Sequence, residues 1–422
     1  MSFSTEELHW KYYIPLYCIF ISMILIATRN FSEVQSSGIG LSVIHKLISL
    51  PLSIVMIFYY ILNKKTITSN VPLPIKTYMG FVFIAILSSL FFSDSLGYSI
   101  WKCIEILANL MIAIFIWNLF SRNTLIGELY FDRIILLYKL ILLISIIGIF
   151  IHPTLALRPP SLFREAFLPV QFFGSIIQIN ADSLGLMAAI VFYIEFIKYQ
   201  NVNKRNYITI FILFLLFTII IFAQSRTAIA SLFIVLFGYF ALNSKMGIFS
   251  KLFVFLSIGL SILFLIDYLL LYLQRGLTSS QIQSMSGRTE WWETTINSFL
   301  NLDFFQQLFG LGYGVGSRII LTEMGHSTGA SLHSDYFDAL ISTGYLGLFF
   351  LLSTVTIILF KILKEFTTYL KSTEYQIFVG VLLILIIRSI TGSTIALHNF
   401  FLILFLVTTI NLYMYKQRTK IQ

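Results

Sequence analysis

The side chains best suited to chemistry lie together in Ser331-Leu-His333-Ser-Asp335-Tyr336, a few residues before an apolar run. A neutral imidazole takes up a proton near neutral pH, so His333 is the candidate general base. The plainer alternative is a hydrogen-bonded structural histidine. His326, in Gly325-His-Ser-Thr-Gly-Ala-Ser331, is a weaker rival, and His152 and His398 are weaker still. Asp335 and Tyr336 are the neighbours expected to contact an acceptor or the loop itself.

Three arginines form the second constellation. Arg226 stands in Ala223-Gln-Ser-Arg226-Thr, an interruption so short that two apolar segments must meet tightly around it. A charge held that close to hydrocarbon calls for a functional partner. Arg388, followed by Ser389 and Thr391-Gly-Ser-Thr394, occupies a similar place, and Arg288 opens a polar stretch. A guanidinium offers a planar fork of donors and stays charged, which suits phosphate. The bland reading is that arginines snorkel at helix ends, or that one of the three pairs with Glu290, Glu293, Asp335 or Asp338.

From Arg288 to Phe309 the apolar positions Trp292, Ile296, Phe299 and Leu300 have the spacing of an amphipathic helix that ends at Gly310. Trp291 and Trp292 would lie at a membrane interface or touch substrate. The series Gly310-Leu-Gly312-Tyr-Gly314-Val-Gly316 follows a helix, not a strand, and lacks the Gly-Lys-Ser/Thr ending of a phosphate loop. Its expected use is a sharp turn or a close backbone approach.

The elements that must position these residues are membrane helices. Of 422 residues 58% are hydrophobic and 11% charged, and the mean hydropathy is +0.88; a soluble domain cannot hide that much apolar side chain. Segments long enough to cross about 30 Å of hydrocarbon occur near 12–28, 41–62, 76–93, 100–120, 134–151, 183–198, 206–223, 228–243, 250–273, 336–360, 375–392 and 396–415. The fold class is therefore all-α, a polytopic membrane helical bundle of about twelve spans. We expect a single integral-membrane domain, 1–422, with one large outer loop, 274–335, that contains amphipathic helices. A smaller elaboration, Ile151-His152-Pro153 to Phe173, carries prolines that favour a folded-back loop.

Lysine-rich connections such as Asn63-Lys64-Lys65 and Lys198 to Arg205 alternate with connections in which arginine is the basic residue. The lysine-rich side should be cytoplasmic, with both termini inside. Lys102, near the other boundary, can pair with Glu105 one turn on. The net charge of +9 lies in these short loops, so nucleic acid is not an expected partner. No cleavable leader is expected before the first span. Cys18 and Cys103 lie in apolar runs as small core residues. Neither a transition-metal spacing nor, in the outer loops, an Asp-x-Asp pair is present, so no metal and no cofactor are expected; an anionic leaving group would fall to arginine.

Ser225-Arg226-Thr227-Ala228 at a helix junction, Gly287-Arg288 with Trp291-Trp292, Gly310-Leu-Gly312-Tyr-Gly314, and His333-Ser-Asp-Tyr-Phe-Asp-Ala-Leu-Ile-Ser-Thr-Gly344-Tyr-Leu-Gly347 together resemble the O-antigen ligase and polymerase superfamily of bacterial envelope proteins. The resemblance is firmest from about Ala181 to Phe360. It implies a helical-bundle glycosyltransferase of the bacterial inner membrane that works at its periplasmic face without metal. The donor would be an undecaprenyl-pyrophosphate-linked oligosaccharide and the acceptor a growing glycan. His333 would engage or deprotonate the acceptor hydroxyl, and Arg226 and Arg288 would clamp the pyrophosphate.

Within that superfamily a polymerase of O-antigen or capsular repeat units is favoured over a ligase acting on lipid A-core. The outer arginines are roughly balanced by Glu33, Asp94, Glu165, Glu290, Glu293, Asp303, Glu323 and Asp335. A chain that stops just past its final helix also counts against a protein-glycosylating member. A chain-length regulator would be a further partner. The rival of another class, a lipid-linked oligosaccharide flippase, would show related halves and mid-span charges, whereas here the polar residues gather in one asymmetric loop.

Overall fold

The computed structural model describes residues 10–24, 41–64, 71–120, 125–159, 168, 170–201, 206–242, 247, 288–325 and 331–418. The expected span 250–273, the loop residues before Arg288, and His326 lie outside the described residues. The helices are α1 (Ile14–Met23), α2 (Leu41–Lys64), α3 (Leu73–Phe92), α4 (Leu96–Phe120), α5 (Ile126–Ile151), α6 (Pro153–Ala156), α7 (Ala181–Asn201), α8 (Tyr207–Ala223) and α9 (Arg226–Leu242). After the large loop begins come α10 (Arg288–Leu300), α11 (Phe304–Phe309), α12 (Gly316–Glu323), α13 (Asp335–Lys364), α14 (Phe366–Lys371), α15 (Thr373–Ile390) and α16 (Phe400–Arg418). Each other expected apolar segment falls on a helix. Among the described residues, five helices, α3, α4, α5, α13 and α15, are long and apolar enough to cross a membrane, and α1, α2, α8, α9 and α16 supply shorter apolar stretches. The protein is an all-α membrane protein.

The chain forms two compact units. The first comprises Met1–Ile135, Glu290–Lys364 and Leu385–Gln422, and the second Leu136–Thr289 with Glu365–Ile384. In the second unit α7 lies against α8 and α9 because Gly185 carries no side chain: a Cβ there would come 2.8 Å from Ser225 Cβ and 3.1 Å from Ala223 Cβ. Gln224 ends α8 in the left-handed conformation, φ +51°, the task usually given to glycine. Its side-chain amide donates to Val170 O at 2.9 Å, and Gln171 Nε2 donates to Ala223 O at 2.9 Å. The smaller elaboration does fold back, since β1 (Leu157–Arg158) pairs antiparallel with β2 (Gln171–Phe172).

In the first unit α13 packs along α3, where Thr77 and Thr354 share a hydrogen bond of 2.9 Å. Buried Cys18 and Cys103 serve as core residues, and Lys102 pairs with Glu105 at 2.6 Å. The amphipathic helix expected from Arg288 to Phe309 is broken in two. Asp303 interrupts it by capping α11, its carboxylate accepting from Gln306 N at 2.9 Å, a local bond that competes with helix continuation. Gly310 then ends α11, as expected.

The glycine turn is where two main chains touch. α13 is kinked at Gly344, which sits at φ +64° and ψ −167°. A Cβ on Gly344 would lie 2.4 Å from the Leu308 carbonyl, and one on Gly310 would lie 2.4 Å from the Ser342–Thr343 peptide. Two helix carbonyls at the kink are re-satisfied from outside: Ile341 O accepts from Leu311 N at 2.9 Å, and Ser342 O from Ser88 Oγ at 2.8 Å. The close approach and the bend therefore need each other. Gly344→Ala is expected to cost on the order of 1–3 kcal/mol of strain or more, seen as a lower thermal midpoint of the purified protein. Gly97→Ala, with nothing within 4 Å of the added methyl, should leave it unchanged.

Candidate functional site

The loop 331–334 joins the glycine-rich segment to α13 and is fastened by the carboxylate of Asp338, one turn inside that helix. Asp338 Oδ1 accepts from Leu332 N at 2.9 Å and from Ser317 Oγ of α12 at 2.5 Å, and Oδ2 accepts from Ser331 Oγ at 2.8 Å. Ser331 Oγ in turn accepts from His333 N at 3.0 Å. The loop is thereby bent so that His333 adopts φ +55°, in the left-handed region. A non-glycine residue there costs on the order of 1–2 kcal/mol, so the hydrogen bonds on either side must hold it.

Above this loop, α10 supplies two indoles. Trp291 stacks on the His333 imidazole, with ring centroids 5.7 Å apart and planes 21° from parallel. Trp292 donates from Nε1 to Leu332 O at 3.1 Å and stacks on Phe337 at 5.1 Å. Beneath lies a small core of Phe299, Leu311, Ile320, Leu321, Leu332 and Ile341. Both tryptophans thus pack on the histidine loop. Arg288 opens α10, is half-buried and belongs to the second unit.

A second carboxylate ties the loop to the segment 391–399. Asp335, fully buried, accepts from Thr394 N at 2.7 Å, Ile395 N at 2.8 Å, Ala396 N at 3.0 Å and Thr394 Oγ1 at 3.0 Å. Ser331 Oγ meets Ser393 Oγ at 2.6 Å, and Tyr336 Oη meets Ser389 Oγ at 3.1 Å. Tyr78 Oη donates to Ile395 O at 2.8 Å, and Tyr313 Oη donates to Ala396 O. Burial pushes the Tyr313 phenol well up, so it stays a donor. Arg388 belongs to the same knot. It is 7% exposed, and its guanidinium packs on Gly392 so closely that a Cβ there would lie 1.3 Å from Nη1.

Burying a carboxylate costs several kcal/mol, while each charge-assisted hydrogen bond returns about 1.5–3 kcal/mol. With three or four donors apiece the two aspartates roughly break even. What they supply is a fixed geometry. Their oxygens accept from amides and hydroxyls.

His333, Trp291, Trp292, Asp335, Tyr336 and Arg388 all lie in the first unit and are joined by the contacts just given. Arg226 lies in the second unit, where it begins α9 directly after the Gln224 turn and is half-buried. Sequence reasoning missed the part played by Ser317, Ser331, Ser393 and Thr394. It also began the last helix at 396, whereas α16 starts at Phe400, capped by Asn399 Oδ1 on Phe401 N and Leu402 N. The signal present was the run Thr391-Gly-Ser-Thr394, too polar for a span. His398, the weaker candidate, is held by Asn109 Nδ2 at 2.6 Å and Ser22 Oγ at 3.0 Å.

Residues 211–352 match the family Wzy_C, described as O-Antigen ligase. The match runs over Arg226, Arg288, both tryptophans, His333, Asp335 and Tyr336, and stops short of Arg388. It supports a place for this chain in the O-antigen ligase/polymerase superfamily, and with it a glycosyl-transfer function of the ligase or polymerase type. A search of the curated proteins found no match to the chain.

Trp291→Ala removes the ring stacked on His333 but leaves the Asp338 bonds in place. Stacking of this kind is worth about 0.5–1.5 kcal/mol, so glycan transfer should fall up to about tenfold while the protein accumulates in membranes as before. Trp292→Phe, which loses the donor to Leu332 O, should lower transfer by a similar factor, near 1 kcal/mol for one hydrogen bond.

Proposed function

We propose that this protein is a polymerase that joins undecaprenyl-pyrophosphate-linked repeat units into O-antigen or capsular chains at the periplasmic face of the bacterial inner membrane. The observation that carries glycan transfer is His333 itself: an imidazole held against Trp291 on a loop fastened by two buried carboxylates, inside the region that matches the O-antigen ligase family. Such fixing is what a base needs, because its reach to the acceptor proton decides whether it acts.

In this reaction an acceptor hydroxyl oxygen attacks the anomeric carbon of the donor while its proton passes to His333. The bond from that carbon to the pyrophosphate oxygen breaks, the electron pair leaves with the undecaprenyl pyrophosphate, and the anomeric configuration inverts. Charge grows on the leaving oxygen, and preorganised cations are the usual means of stabilising it without metal. Arg226 and Arg288 are assigned that task, with Arg388 as a third candidate. Its burial beside Ser389 and Gly392 suits it to shaping the 391–399 segment. Trp291 and Tyr336 are the proposed contacts to the acceptor. The apolar helices hold the polyprenyl chain.

The polymerase reading rests on the balance of charge around the large loop. The ligase reading keeps the printed family description in its favour. His333→Ala, Arg226→Ala and Arg288→Ala are each expected to abolish chain extension in cells with unchanged protein in the membrane; full-length polysaccharide from any of them removes that residue's role. Purified protein given lipid-linked repeat units without lipid A-core should make a ladder of longer products. Product formed only after lipid A-core is added would make it a ligase.

A further inference from the structure

The first unit carries a cleft on another face of α12 from the one that holds Asp338. It encloses about 680 Å³ and is lined by Asp94, Ser95, Tyr98, Arg318, Thr322 and Glu323, with Val315 and Ile319 forming an apolar wall. Helical spacing sets Arg318, Ile319 and Thr322 on this side, while Ser317 reaches Asp338. The opposite wall is the α3–α4 connection. The helix ends that flank it are fixed to the glycine turn: Gly312 N donates to Ser88 Oγ of α3 at 2.9 Å, Tyr313 N to Ser89 Oγ of α3 at 3.1 Å, and Ser99 Oγ of α4 donates to Tyr313 O at 2.9 Å. Both walls are therefore held by the framework that carries the His333 loop.

The cleft's chemistry is that of a sugar site. The Arg318 guanidinium lies 4.0 Å from the centre of the Tyr98 ring, so its fork of donors is held in place over the cleft. Lys102, also above that ring at 5.6 Å, is paired with Glu105 and is not the ligand's cation. Exposed Asp94 and Glu323 offer carboxylate acceptors, and Ser95 and Thr322 offer hydroxyls. Guanidinium and carboxylates together match vicinal hydroxyls, which donate and accept at once. The Val315–Ile319 wall suits the C–H face of a pyranose. With two carboxylates facing one arginine, an acidic sugar is disfavoured.

We propose that this cleft is a glycan subsite that holds a neutral pyranose of the repeat unit, remote from the reacting anomeric carbon. The glycan reaches it past α12, the helix whose other face braces the His333 loop. The inference rests on the glycan-transfer reading above, but the binding it requires does not depend on catalysis.

The test uses the whole protein in nanodiscs and, as probe, the free oligosaccharide released by mild acid from the lipid-linked intermediates of the cell that makes it. This probe carries no pyrophosphate. Wild type should bind it. Arg318→Ala and Tyr98→Leu should weaken binding about tenfold, the loss of one charge-assisted hydrogen bond or more, and Tyr98→Phe, which keeps the ring, should bind as wild type. In transfer assays Arg318→Ala should raise KM for the lipid-linked donor and leave kcat nearly unchanged. Transfer by wild type with binding and KM unmoved in both variants overturns the subsite and leaves the proposed function standing. Binding that the variants weaken, from a wild type that transfers nothing, upholds the subsite and overturns that function.

Discussion

Two buried carboxylates on the first turns of one helix determine the arrangement around His333. Asp338 gathers the loop before the helix, and Asp335 gathers three successive amides of the segment 394–396. Neither contributes much net stability once its desolvation is counted. A buried carboxylate does, however, penalise every arrangement that leaves it unsatisfied, so it selects one geometry among many of similar energy. That selection lets a histidine remain in a left-handed conformation beside an indole.

The same economy explains why glycines and small hydroxylated residues cluster around the site. The kink at Gly344 brings α13 within backbone contact of α11, and the carbonyls at the bend are taken up by Leu311 N and Ser88 Oγ. Ser88, Ser89 and Ser99 lie inside a candidate membrane helix or at its start, where a hydroxyl finds no water and must find backbone. Their bonds to the glycine turn anchor the large loop onto the helices.

Much of this was legible in the sequence. Hydropathy located the helices, the spacing from Arg288 announced an amphipathic segment, and the chemistry of His333 stood out by residue type alone. The helix break at Asp303 escaped because one capping carboxylate outweighs a continuous apolar stripe. The anchoring of 331–334 escaped for a deeper reason. Asp338 and Ser317, or Asp335 and Thr394, meet only after segments 21 and 59 residues apart have packed, and no local period records such a meeting. A carboxylate near arginines suggests a substrate contact or an ion pair, whereas the burial of Asp335 among backbone amides is a tertiary fact.

Amide hydrogen exchange on the whole protein in nanodiscs, read over residues 331–336 and 391–399 for wild type and Asp335→Asn, tests the role of the carboxylates most directly. The account predicts slow exchange in both segments of wild type, and fast exchange in both for the variant, with α3 unaltered and glycan transfer lost in parallel. Equal protection of the two segments in wild type and variant would contradict it.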